Sequence, residues 1–100
     1  MENRIRKPTH PGELIREDLL PETGLSQTQL AQLMDVSRRT VSEIVNERRR
    51  VTSDIAFRLA KVFSSTPELW LNMQKAVELW ETRSIHGHEY EKIQSAKRRY

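Results

Sequence analysis

The 100-residue chain has no cysteine. That excludes disulfide scaffolds, thiolate zinc sites and thiol catalysis. Glycine is scarce, with three in all, so no glycine-rich loop can cradle a phosphate. Hydrophobic residues make up 36% and aromatics 6%. A single modest core is therefore expected, with part of the chain left outside it. No apolar run approaches the ~20 residues of a membrane span. The opening MENRIRKPTHPGE is basic but lacks the apolar stretch of a signal peptide. Internal repeats and strand-like alternation are missing too. No residues suggest a paired nucleophile and base, and Glu17 with Asp18, or Glu78 with Glu81, read as surface carboxylates on helices. His86 and His88 flank a glycine with no third ligand class in a fixed element, a weak match to any metal site. The expectation is a soluble cytoplasmic protein that is not an enzyme and carries no cofactor or metal.

What the chain does have is charge in one place and strong helix punctuation. The net charge is +3. Between Arg38 and Arg50 stand five arginines (38, 39, 48, 49, 50) against two glutamates (43, 47). Such an excess favours an anionic partner. Start signals recur along the chain. Pro11 suits a first helical turn, with Thr9 or His10 ahead of it. Leu14, Ile15, Leu19 and Leu20 give that helix an apolar face, Pro21 is expected to stop it, and Gly24 to turn the chain. Ser26 and Gln29 form a capping-box pattern ahead of an apolar stripe of Leu30, Leu33 and Met34. Ser37 starts a third helix, with Val41, Ile44 and Val45 facing inward and Asn46 as left-handed C-cap. Thr52 starts a fourth, carrying Ile55, Leu59, Val62 and Phe63, and Ser64-Ser65 breaks it. Thr66-Pro67-Glu68 opens a fifth helix, expected to end near Arg83, with His86-Gly87-His88 as a break.

The informative stretch is Leu25 to Asn46, two short helices around a tight turn. Its bland reading is an αα-hairpin in a core, with solvated arginines. The placement of the polar groups favours a helix-turn-helix whose second helix enters a DNA major groove. Gln27 and Thr28 lie at the start of the first helix, and Ser37, Arg38, Arg39 and Thr40 at the start of the second. Arg38, Arg39 and Glu43 form a polar arc opposite the inward stripe. Arginine can bond bidentately to guanine O6 and N7, and Thr40 can meet a thymine methyl. Glu43 either accepts from cytosine N4 or orients one of the arginines. Arg48, Arg49 and Arg50 read as phosphate contacts, because adjacent charges in a loop have no fixed geometry. One short helix reads few base pairs, whereas two spaced by about 34 Å read a palindrome, so a dimer is expected. The fifth helix carries more apolar surface than one core stripe needs, which makes it the natural twofold interface.

The pattern Gln-x-x-Leu-Ala-x-x-Met-x-Val-Ser-x-x-Thr-Val-Ser, Gln27 to Ser42, resembles the Xre/Cro (lambda-repressor-like) helix-turn-helix family. Two motifs narrow the resemblance to HigA-type antitoxins of the VapI-like branch. They are His10-Pro11-Gly12-Glu13 and the run Ser65-Thr66-Pro67-Glu68-Leu69-Trp70-Leu71-Asn72-Met73-Gln74. The resemblance covers residues 8 to 83. It departs from the family at Asp35 and at Asn46-Glu47, where glycine and Asn-Gly are common. The resemblance implies an all-α, five-helix domain over 11–83. A flexible arm, 1–10, would precede it and a polar basic tail, 84–100, follow it. It also implies an antitoxin that neutralises a HigB-type, RelE-like mRNA endoribonuclease and, as a dimer, represses its own operon at a palindromic operator. The rival is a stand-alone Xre-type repressor without a toxin. Carried over by position, the DNA-facing set is Gln27, Thr28, Ser37, Arg38, Arg39, Thr40 and Glu43, with Arg48, Arg49 and Arg50 on phosphates. The dimer residues are Trp70, Met73, Val77 and Trp80, with Trp70 read as mostly core and Trp80 as mostly interface. The toxin contact is placed on Arg4, Ile5, Arg6, Lys7 and Leu14.

Overall fold

The computed structural model describes residues 6–96, which form five helices and no strand. The first, α1, spans residues 11–23 as three consecutive segments: an α turn Pro11–Leu14, a π turn Ile15–Leu19 and an α turn Leu20–Thr23. Then come α2 (Gln27–Met34), α3 (Arg38–Val45), α4 (Ser53–Val62) and α5 (Pro67–Glu91). His10 is the N-cap of α1, its Nδ1 accepting from the Gly12 N–H at 2.9 Å. Pro21 does not stop this helix. The turn before it widens instead, with the Leu20 N–H bonding to the Ile15 carbonyl five residues back. A π turn displaces the carbonyl that a proline ring would otherwise strike. Gly24, at φ 73°, then ends the helix.

The remaining starts follow the sequence. Ser26 and Gln29 complete a reciprocal capping box, at 3.1 and 2.9 Å. Ser37, Thr52 and Thr66 each cap the helix they precede. The ends share one device. Asp35, Glu47 and Ser64 stand at φ 58°, 61° and 51°, and the amide after each reaches back five residues to a helix carbonyl. This is the Schellman ending, formed without glycine at all three places. Glu47 therefore takes the left-handed position expected of Asn46, which stays at φ −92° as the residue before it.

The core gathers Ile15, Leu30, Ala31, Met34, Val41, Ile44, Val45, Val51, Ile55, Ala56, Leu59 and Trp70. Trp70 is its largest member; its Nε1 donates to Ser65 Oγ at 2.9 Å and its ring tilts against Phe63. Leu33, expected in the inward stripe of α2, is 60% exposed. The 100° step per residue carries it past the buried arc that Leu30, Ala31 and Met34 define. Two expected dimer residues belong to this folded unit: Trp70 and Val77 are each 1% exposed, so a second chain cannot reach them. Val77 is the last buried residue of α5, yet the helix runs on to Glu91. It passes Arg83, where it was expected to end, and continues through His86-Gly87-His88. A single glycine costs a helix only about 1 kcal/mol, and His86 pairs with Glu89 one turn on, at 3.0 Å. At 1.5 Å per residue α5 is about 37 Å long, and its second half projects from the body.

Candidate nucleic-acid interface

The polar face of the α2–α3 pair is held from behind by the rest of the chain. Gly12 lies so close to α3 that a Cβ on it would come within 1.8 Å of the Ile44 carbonyl oxygen. Arg16 donates to the Val45 carbonyl and, at 3.3 Å, to the Glu47 carboxylate, gripping the C-terminal end of α3. Arg58 of α4 donates to the Met34 and Asp35 carbonyls at 2.8 and 3.2 Å. A cation there faces the negative end of α2 and closes the turn between the two helices. Behind the loop after α3, the buried Gln74 accepts from the Val51 N–H at 2.8 Å and donates to Glu78 at 3.0 Å. None of Gly12, Arg16, Arg58 and Gln74 figured among the expected site residues. Gly12 and Gln74 had a signal, as the glycine of the His-Pro-Gly-Glu motif and the last residue of the run Ser65 to Gln74.

On the outer face the expected residues come together. Thr28, Ser37, Arg38 and Arg39 are exposed, while Gln27, Thr40 and Glu43 are half-buried. The Ser37 hydroxyl accepts from the Thr40 N–H at 3.1 Å and lies 2.9 Å from the Thr40 hydroxyl. Both hydroxyls thus serve the start of α3 first. Arg38 makes no ion pair with another described residue. Glu43 is the hub: Oε2 accepts from Arg39 Nε at 3.1 Å, and Oε1 accepts from Arg49 Nε and Nη2 at 2.9 and 2.6 Å. Hydrogen bonds from Arg49 and then Arg39 hold its carboxyl below the usual carboxylate range.

The loop arginines are not the unfixed run their adjacency suggested. Arg49 is tied to α3 through Glu43, and Arg50 to α5 through Glu78 at 2.8 Å. Hydrogen bonding by Arg50 holds the Glu78 carboxyl low. A polar recess of about 280 Å³ lies behind this loop, bounded by Lys7, His10, Glu81 and the Gln74–Glu78 pair.

The other expected residues are dispersed. Met73 and Trp80 are half-buried on α5, and the Lys7 ammonium stands 5.9 Å from the Trp80 ring centre. Arg6 and Lys7 are exposed, Leu14 packs partly buried against the core, and Arg4 and Ile5 lie outside the described residues. Among the described residues no helix is long and apolar enough to cross a membrane.

Two capped helices, a locked turn and an arginine-bearing second helix define a helix-turn-helix protein, and a helix-turn-helix family model matches residues 15–71. The chain belongs to this Xre-type family and, within it, to the HigA-type antitoxins. It is 38% identical over 89 residues to antitoxin HigA-1 of Vibrio cholerae, covering 89% of this chain and 84% of that one. An uncharacterized HTH-type transcriptional regulator of Haemophilus influenzae is 49% identical over 76 residues, covering 76% and 71%. The solved structure of antitoxin GraA in complex with its operator superposes with a TM-score of 0.86 at 38% identity, covering 98% and 99%.

Proposed function

We propose that this chain reads a palindromic operator as a homodimer, represses its own operon, and neutralises a HigB-type, RelE-like mRNA endoribonuclease toxin. The arginine-bearing face of α3, braced by α1 behind it and with the turn before it and the loop after it tied down, is the observation that carries the DNA half. The relative solved with its operator supports it. In this reading Arg38 and Arg39 meet base edges, Thr40 meets a thymine methyl, and Gln27, Thr28 and Ser37 fix the register on phosphates. Arg48, Arg49 and Arg50 add phosphate contacts at the flank.

The dimer forms through α5, but not by the expected four residues. Leu69, Met73, Ala76 and Trp80 follow one face at i, i+4, i+7 and i+11 and remain at least partly exposed. The toxin half rests on the kinship with HigA antitoxins, with the arm around Arg6 and Lys7 as its surface. The Haemophilus relative, named only as a transcriptional regulator, favours the second reading of a repressor with no toxin.

One experiment separates these readings. The chain is co-expressed with the product of the adjacent reading frame, and pull-down, growth rescue and operator binding are measured for wild type and for the Arg38→Ala, Arg39→Ala double variant. The expected result is loss of operator binding with capture and rescue intact. Absence of any captured neighbour would leave the repressor reading, and equal loss of both activities would refute the separation of the two surfaces.

A further inference from the structure

We infer that Glu43 is a positioning residue for base reading, whose carboxylate presents Arg39 end-on to a guanine and holds Arg49 over the flanking phosphate. The inference rests on the DNA-reading role of α3 and says how specificity arises there.

Three observations lead to it. The first is the division of labour between the two carboxylate oxygens. Arg39 takes Oε2 and Arg49 takes Oε1. Both oxygens already face an arginine, so the carboxylate is directed at its own side chains, with direct reading of cytosine N4 left to the lone pairs that remain. The second is which nitrogen of Arg39 is engaged. Only Nε bonds to Glu43, which leaves both terminal amino groups of the guanidinium for the fork that matches guanine O6 and N7. Arg49 likewise keeps Nη1 for a phosphate oxygen. The third is exposure. The Arg39 side chain is 85% exposed and Glu43 only 27%. The carboxylate sits at the base of the pair and the arginine reaches outward from it. Without that support, a long exposed side chain would have to be ordered by the DNA itself, a cost charged against every binding event.

A surface pair of this kind adds little to fold stability. What it changes is the conformation in which Arg39 waits. The third partner matters as well. Arg49 lies beyond α3, in the loop that the Glu47 turn opens. One carboxylate thus sets the spacing between a base-reading arginine and a phosphate-binding one. Register on the backbone and identity of the base are then fixed together.

The test uses the full chain and a randomised duplex library. Wild type is first put through selection, and the selected duplex and an unrelated duplex are then titrated against wild type, Glu43→Gln, Glu43→Asp, Arg39→Ala and the Arg39→Ala, Glu43→Gln double variant. If wild type selects no sequence, the DNA-reading proposal itself fails. If it does, Glu43→Gln should relax the guanine preference at one base pair per half-site and weaken the selected duplex about tenfold, within the span of one bidentate contact. The unrelated duplex should hold or tighten, because a negative charge has left a phosphate-facing surface. Glu43→Asp keeps the charge but shortens the reach, and should relax the same base pair while leaving the unrelated duplex unchanged. Arg39→Ala should relax the same base pair, and the double variant should lose no further base preference, since Arg49 answers to a phosphate and not to a base. Additive losses of base preference, relaxation at a different base pair, wild-type behaviour in Glu43→Asp, or an equal loss on both duplexes would each overturn the inference. Melting curves of the Glu43 variants should match wild type, so a folding defect would not be mistaken for a positioning one.

Discussion

Gly12→Ala sets two rules against each other. Gly12 lies in the first turn of α1 with no left-handed φ to protect, and by helix propensity alanine there should stabilise by about 1 kcal/mol. The packing predicts the reverse. The added Cβ would stand 1.8 Å from the Ile44 carbonyl oxygen and 2.8 Å from its carbon, where contacts under 3.0 Å are essentially never seen. Subtracting 1.8 from 3.0 leaves at least 1.2 Å to be found by moving α1 away from α3. The obstacle is backbone, so no rotamer change relieves it. His10 Nδ1, 3.2 Å away, blocks a slide toward the cap. Overpacking a tight core costs about 1–3 kcal/mol, and a backbone-on-backbone clash belongs at the upper end. Less the propensity gain of about 1 kcal/mol, the net is about 2 kcal/mol, and at roughly 4–8 °C per kcal/mol for a domain of this size the melting midpoint should fall by about 8–16 °C. The Ile44 carbonyl also accepts the Glu47 N–H that ends α3, at 3.0 Å. Operator affinity of the still-folded fraction should therefore fall too. Circular-dichroism melts and duplex titration below the new midpoint measure both effects. A midpoint within about 3 °C of wild type, well inside what one kcal/mol would shift, would refute the close approach.

Two further expectations follow from the caps. Ser64 holds a left-handed φ of 51° on an exposed turn remote from α3, so Ser64→Gly should raise stability by about 0.5–1 kcal/mol once the extra freedom of glycine in the unfolded chain is deducted; an unchanged or lower denaturation midpoint would contradict the strain. Burial pushes the His10 pKa below 6.5, and its Nδ1 must stay unprotonated to accept the Gly12 N–H. The unfolded chain then binds the proton more readily, so His10's contribution is complete above pH 6.5 and is lost as pH falls below it. His10→Asn keeps an acceptor at the cap without titrating, and should flatten the pH dependence of the melting midpoint just below that value. A slope identical to wild type would exclude His10 as its source.

The parts legible in sequence were those governed by local chemistry. Ser26, Ser37, Thr52 and Thr66 cap helices because a hydroxyl beside free amides has one best use. The polar arc of Arg38, Arg39 and Glu43 follows from the helical repeat. What escaped depends on backbone adjustments and side-chain contacts that no local residue pattern marks. Pro21 stays inside a helix because the turn before it widens, and the left-handed residue after α3 is Glu47 because Arg16 engages its carboxylate. The dimer stripe was misassigned for a related reason. Trp70, Val77, Met73 and Trp80 are all apolar and at helical spacing, and only packing against α4 and the loop before it decides which pair turns inward. Glu43 illustrates the limit most clearly. The alternatives of base reader and arginine holder are equivalent in sequence, and they separate only when Arg49, six residues on, is seen at the same carboxylate.

The loop after α3 links the two surfaces that the proposed function requires. Arg49 and Arg50 are neighbours in the chain but answer to different helices, Arg49 to Glu43 on α3 and Arg50 to Glu78 on α5. Gln74 joins the second pair to the backbone, since it donates to Glu78 and accepts from Val51, the first residue after Arg50. A displacement of α5 therefore reaches Arg50 through one buried amide and one carboxylate, without passing through the recognition helix. The face of α3 is joined to the same loop, because Arg49, the neighbour of Arg50, is bonded to the Glu43 carboxylate that also holds Arg39. Under the proposed function, a shift of α5 would therefore be felt at Arg50 first and at the Arg49–Glu43–Arg39 cluster through the loop, so affinity and base preference would change together.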